Sequence, residues 1–248
     1  MIILRIFLVL FIKSLVFSTL LYSQDEVQNG FLGLGVNYGL DVPIGELSDR
    51  FGYNFHASLS ADFFNSKLNG FWGIEGQVQF GDQVKEDVVA PLRTEQGVIL
   101  GFNEGPTEIF LRRRGTYIGA YLSKRIVPIG EGSSGLSLGF GAGIWQHHIR
   151  IQDENNNATH FNGDYEKGYD RNTRGPAIKQ MLTYQFVSNK SNFVLGVSLM
   201  EGFTKSIRKV NFDTGLAQGD SRLDLLFSFE LKWILPIFRF GPAAEIFY

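Results

Sequence analysis

Few side chains in this chain are equipped for covalent or acid–base chemistry. Four histidines, His56, His147, His148 and His160, are spread over 248 residues, and there is no cysteine. Without thiols there is no Cys nucleophile, no thiolate metal site and no disulfide. The adjacent pair in "WQHHIRIQ" is the best placed for general-base work, which needs a nucleophile and an orienting carboxylate within reach of one imidazole. That stretch carries no Ser, and neighbours on a strand point to opposite faces, so one His at most can serve. The same geometry argues against a metal held by the pair. The expectation is a non-enzymatic protein with no catalytic residue, metal or cofactor.

Basic and aromatic residues carry more information. Arg112, Arg113 and Arg114 stand together, and "GDYEKGYDRNTRGP", from Gly163 to Pro176, concentrates Tyr169, Asp170, Arg171 and Arg174. A guanidinium fork matches phosphate or carboxylate, and Tyr offers rigid amphipathic surface for protein contact. These seven residues are the binding candidates. In the fourteen-residue segment, Gly168 and Gly175 are expected to supply positive-φ turns, and Asp170 to pair with Arg171 or Arg174. The segment reads first as an ordered connection and second as a docking surface.

The elements that must position these residues follow from composition and period. Lys plus Arg number 23 against 25 Asp plus Glu, so no basic field exists for nucleic acid. The N-terminal "MIILRIFLVLFIKSLVFSTLLYS" reads as a signal peptide over residues 1–23, leaving residues 24–248 as the mature chain. A retained helical anchor is the other reading, and Lys13 in its middle opposes it by about 3 kcal/mol. After residue 23 no run approaches eighteen apolar residues.

What remains is alternation. In "GFLGLGVNYGLDV", Leu32, Leu34, Val36, Tyr38 and Leu40 share one face, and Gly33, Gly35, Asn37, Gly39 and Asp41 the other. Similar segments recur from 53 to 63, 71 to 81, 135 to 147 and 221 to 235, with weaker ones near 115–126, 176–187 and 192–204, eight in all. The tight face is rich in Gly and small polar residues and the wide face in bulky apolar ones. In an eight-stranded barrel the interior holds only side chains, so small residues belong inside and bulky apolar ones outside. A soluble barrel with the opposite sidedness is the competing arrangement. Connections at 65–70, 128–135 and 188–192 are short, while of those at 43–52, 82–114, 152–175 and 206–220 all but the first are long, as in barrels whose short turns face the periplasm. The fold expected is all-β: an eight-stranded antiparallel up-and-down transmembrane β-barrel with a short periplasmic C-terminal tail. Asp62, Glu75, Lys179, Asp224, Glu230 and Lys232 fall on the inward face, where they are expected to pair and plug the lumen.

On these strands, the export signal and the aromatic end "EIFY", the chain resembles the small eight-stranded outer-membrane barrels of the OmpX and OmpA-transmembrane type. "KGYDR" and "RLDLLFSFELKWILP" are also similar to barrels that accompany type IX secretion, with no functional residues to carry over. The resemblance implies the outer membrane of a Gram-negative bacterium. The partners it implies are outer-membrane lipid and lipopolysaccharide, together with an envelope protein held through loops or turns in a structural or accessory role. A lipopolysaccharide-deacylase-like enzyme is the alternative, though "WQHHIRIQ" departs from the Ser spacing of such enzymes, and narrow-pore transport is third.

Overall fold

The computed structural model describes residues 30–65, 69–102, 105–129, 134–153, 157–158, 165–187, 192–216 and 221–240. The expected signal peptide, His160 and the terminal "EIFY" lie outside the described residues. Eight strands close into a barrel: β1 (Phe31–Ile44), β2 (Asn54–Asn65), β3 (Gly70–Gly81), β4 (Ile109–Pro128), β5 (Gly135–Asp153), β6 (Thr173–Val187), β7 (Asn192–Ser206) and β8 (Ser221–Arg239). Each pairs antiparallel with its sequence neighbours, and β8 closes on β1 over a register running from Phe31↔Arg239 to Ile44↔Leu225. Closure satisfies every strand edge, which a sheet surrounded by hydrocarbon requires.

Period two decides the two faces. Leu59, Ile74, Ile118 and Leu195 point outward and are 68%, 63%, 71% and 60% exposed, while the alternating Ser58, Glu75, Tyr117 and Ser198 point inward and are buried. The outside is therefore apolar and the inside polar, the reverse of a soluble barrel. Rings mark both rims of this band. Tyr38, Tyr53, Phe55 and Phe80 cluster toward the long-loop side. Phe63 with Trp72, and Phe193 stacked on Trp233, mark the other. Such girdles sit at the two interfaces of a transmembrane barrel.

The inward glycines make room for the few large side chains of the lumen. A Cβ at Gly39 would lie 2.3 Å from His56 Cε1, and one at Gly119 only 2.2 Å from the Tyr117 hydroxyl. Small residues inside are thus sockets for rings and long polar groups of their own and neighbouring strands.

Strands β4 and β5, at 20 and 19 residues, are longer than the segments 115–126 and 135–147 read from alternation, and they carry the barrel wall beyond the membrane on the long-loop side. Arg112 to Arg114 lie within β4, not where a loop re-enters. A short helix, α1 (Glu46–Arg50), occupies the first outward connection, between β1 and β2.

Candidate functional site

The lumen is filled in tiers. At the short-turn end the rings of Phe31, Phe64 and Phe71 meet at centroid distances of 5.0 to 5.8 Å. Above them Lys232 Nζ lies 2.6 Å from Asp62 Oδ1 and 2.7 Å from the Tyr121 hydroxyl, and Ser60 donates to Asp62. In the middle, Lys179 Nζ sits 3.1 Å from Glu75 and 3.0 Å from Glu230, with Asn37 and Ser198 donating to Glu230. Five of the six inward charges expected from the sequence are here, each paired, because a buried lone charge costs several kcal/mol; the sixth, Asp224, lies in the tier above.

The upper tier holds Asp41, which accepts from Asn54 and Ser228 and lies 2.6 Å from His56 Nδ1. Beside it Asp224 lies 2.9 Å from His147 Nε2 and accepts from Thr204. Thr173 Oγ1 approaches the same Nε2 at 3.0 Å and Nδ1 at 3.3 Å. Hydroxyl, imidazole and carboxylate are together, yet the hydroxyl lies between the two ring nitrogens and nearer the one that faces the carboxylate, whereas a nucleophile–base–acid relay places them at opposite ring nitrogens. His147, Thr173 and Asp224 are also fully buried. His148, on the other face, lies outside the lumen.

Loops close the top. Phe51, just after α1, is fully buried, with the Arg50 and Arg113 guanidinium carbons 5.3 and 5.0 Å from its ring centre and His147 edge-on at 5.9 Å. Leu47, Val88, Val89, Ile99, Ile149, Ile151 and Tyr169 continue this core outward from Trp145 and Tyr117. Each such buried apolar side chain contributes about 1.5–3 kcal/mol.

One residue ties the long connections together. Arg171 donates from Nε to Glu86 Oε1 at 2.8 Å and from Nη1 to Asp213 Oδ1 at 2.8 Å, while its carbonyl accepts from Arg50 Nη2. Arg50 also binds the other Glu86 oxygen at 2.9 Å. Arg171 in the third connection thus joins the first, second and fourth. Burial alone would lower its pKa, but the bonds to Asp213 and Glu86 outweigh this and raise it. Its φ of 51° is a left-handed conformation that a non-glycine residue holds only when its surroundings fix it.

This arrangement corrects several expectations. Asp170 pairs with neither Arg171 nor Arg174; it takes both hydrogen bonds of the Arg208 fork, which raises the pKa of Arg208. Gly168 and Gly175 do not take positive φ, which falls on Arg171 instead. They are glycines for close approach: a Cβ at Gly168 would strike the Phe212 ring, and one at Gly175 the Phe203 carbonyl oxygen. Tyr169, Asp170 and Arg171 are buried at 5%, 6% and 5% exposure and so belong to the cap interior, leaving Tyr165, Lys167, Arg174 and Pro176 as the exposed residues among those described in that segment. Arg113 is not a rim residue. Alternation turns it into the lumen, where it is fully buried and donates to Asn54 and Gln79, while Arg112 and Arg114 face outward. Glu86, Asp213, Arg50 and Phe51 went unnoticed in the sequence because loop residues carry no periodic signal.

No family model matches the chain, and no curated protein matches it. Among solved structures it is similar to Neisserial surface protein A at 10% identity, over 83% of this chain and 97% of that one, with a TM-score of 0.41. The attachment invasion locus protein Ail of Yersinia pestis gives 13% identity, 84% and 98% coverage and a TM-score of 0.39. OprG from Pseudomonas aeruginosa gives 11%, 85% and 98%, and 0.41. The eight-stranded antiparallel barrel is established by the closed strand register of this chain itself.

Proposed function

We propose that this protein is a sealed, non-enzymatic outer-membrane barrel that serves as a structural or accessory component, presenting a rigid outward cap to another envelope protein. The observation that carries this reading is the contrast within the cap. Its interior is fixed by the Arg171 clasp, while its surface leaves a cluster of apolar side chains exposed: Tyr165, Ile207, Val210, Phe212 and Leu216. Tyr165 and Phe212 touch, with ring centres 5.3 Å apart, so the third and fourth connections contribute to one patch. These residues lie on the connections, outside the strands, so the hydrocarbon that accounts for the apolar wall does not account for them. Exposed apolar clusters on a preorganised surface mark protein contact sites.

A tiered, ion-paired lumen argues against conduction, and the buried His147 against a lipid substrate. The test is affinity purification from gently solubilised outer membranes of the wild type and of Phe212→Ser with Leu216→Ser. A stoichiometric partner retained by the wild type and lost by the variant, with the barrel still heat-modifiable on gels, is the expected result. A partner retained equally by both, or a wild-type barrel that emerges alone, refutes the patch as a docking surface.

A further inference from the structure

The outer face of the β4–β5 hairpin concentrates positive charge that the protein leaves uncompensated. Arg112 lies directly opposite Arg150, and Arg114 directly opposite His148. Side chains so opposed start about 4.5–5.5 Å apart at Cβ, where like charges such as those of Arg112 and Arg150 destabilise a sheet. Arg114 Nη1 donates only to the neighbouring Arg113 carbonyl, and Arg112 Nε is buried with no hydrogen-bond partner in the protein. Among the described residues no carboxylate forms an ion pair with Arg112, Arg114 or Arg150. Asp170, the acid whose charge reaches His148, is engaged by Arg208.

Arg114, His148 and Arg150 border a cleft of about 670 Å³ whose other walls include Val78, Phe80 and Gln146, with Glu166 as its one carboxylate. Its height on the barrel is set by register. Arg114 stands opposite Phe80, and Phe80 opposite Phe55, so the cleft lies at the upper aromatic girdle, the level of lipid headgroups. Below it the wall is bare apolar side chain: Val78, Ile118 and Ile144 are 53%, 71% and 45% exposed. Arg174 and Lys205, also directly opposed and exposed, extend the basic arc onto β6 and β7.

We infer that this cleft binds the phosphate of an outer-leaflet lipid headgroup, held by the forks of Arg114 and Arg150 with acyl chains lying along Val78, Ile118 and Ile144. An anion between Arg114 and its diagonal neighbour Arg150 offsets their repulsion and satisfies guanidinium donors bidentately. The apolar ribs directly below select a lipid over a free anion. The inference stands independently of the docking patch, which lies on the cap.

The test uses the refolded full barrel in detergent micelles and diphosphorylated lipid A as probe, with binding read by native mass spectrometry. Arg114→Ala with Arg150→Ala is expected to weaken binding at least tenfold, and Arg114→Gln with Arg150→Gln to do the same with side-chain bulk kept. Lys167→Ala with Lys209→Ala, which removes two exposed cap charges, is expected to change it less than twofold. Heat-modifiable mobility certifies folding of each variant. Undiminished binding by both cleft variants overturns the inference, as does an equal loss in the cap control, which would mean diffuse attraction. Equal binding of dephosphorylated lipid A overturns the phosphate contact. Displacement of lipid A by millimolar inorganic phosphate overturns the lipid assignment in favour of a free-anion site.

Discussion

Replacing Arg171 with Ala should open the cap without unfolding the barrel. The substitution removes the fork from Glu86 and Asp213 at once, and Arg171 is 5% exposed. Breaking a buried ion pair costs about 3–5 kcal/mol. Glu86, 30% exposed, keeps its bond to Arg50, and Asp213, 11% exposed, regains some water. That trims the cost to about 2–3 kcal/mol, or an opening equilibrium raised about 30- to 150-fold. The strained φ of 51° adds nothing to the difference, since Ala suffers it as Arg does. The assay is amide hydrogen exchange on the refolded barrel in micelles. Reporters are Lys85, bonded to Arg50 at 2.9 Å, Ile207, bonded to Asn172 at 3.0 Å, and Phe212, bonded to Gly168 at 3.0 Å; strand amides serve as the internal reference. Protection should fall at all three together, because one residue joins the connections that carry them. Protection at these amides within twofold of wild type would refute Arg171 as the clasp, and a loss that includes the strand amides would refute the independence of cap and barrel.

Three further outcomes are expected. Lys179→Met leaves Glu75 and Glu230 facing each other unpaired and should lower barrel stability in urea by about 3–5 kcal/mol, with Glu75→Gln and Glu230→Gln together recovering most of it. At Asp213 burial acts to raise the carboxyl pKa, but the hydrogen bonds and charge of Arg171 prevail and hold it below its ordinary value of 3.8. The folded value lies below the unfolded one, so this contribution is complete above about pH 4 and is lost as pH falls through the lower folded value. Cap exchange corrected for its intrinsic rate should accelerate in that range in the wild type and show no such step in Asp213→Asn. In planar bilayers the wild-type barrel should give no ion-conducting steps, because the tiers from Phe71 to Phe51 fill the bore; steady single-channel currents would contradict a sealed lumen.

Much of the fold was legible because a barrel wall repeats one local rule. Leu34 beside Gly35 and Ile74 beside Glu75 announce inside and outside two residues at a time, and a lumen too narrow for water channels obliges the inward acids and bases to pair. The same rule, applied strictly, places Arg113 inside and its two neighbours outside, although a run of three like residues invites reading them as one group. The pairing partners were not legible. That Lys179 meets Glu75, 104 residues earlier, depends on which strands face each other across the bore.

By itself, then, the sequence determined the number of strands, the polarity of each face, the short and long connections and the inward charges, all of which follow from period two and the spacing of turns. Only the tertiary structure decided which loop residues meet. Glu86, Arg171 and Asp213 come from three connections with no common period, and they converge because closure of the barrel brings those connections over one opening. The pairing of β4 with β5 sets their bases side by side on the outer rim, since register across a hairpin is fixed by its turn and its cross-strand pairing and not by either strand alone.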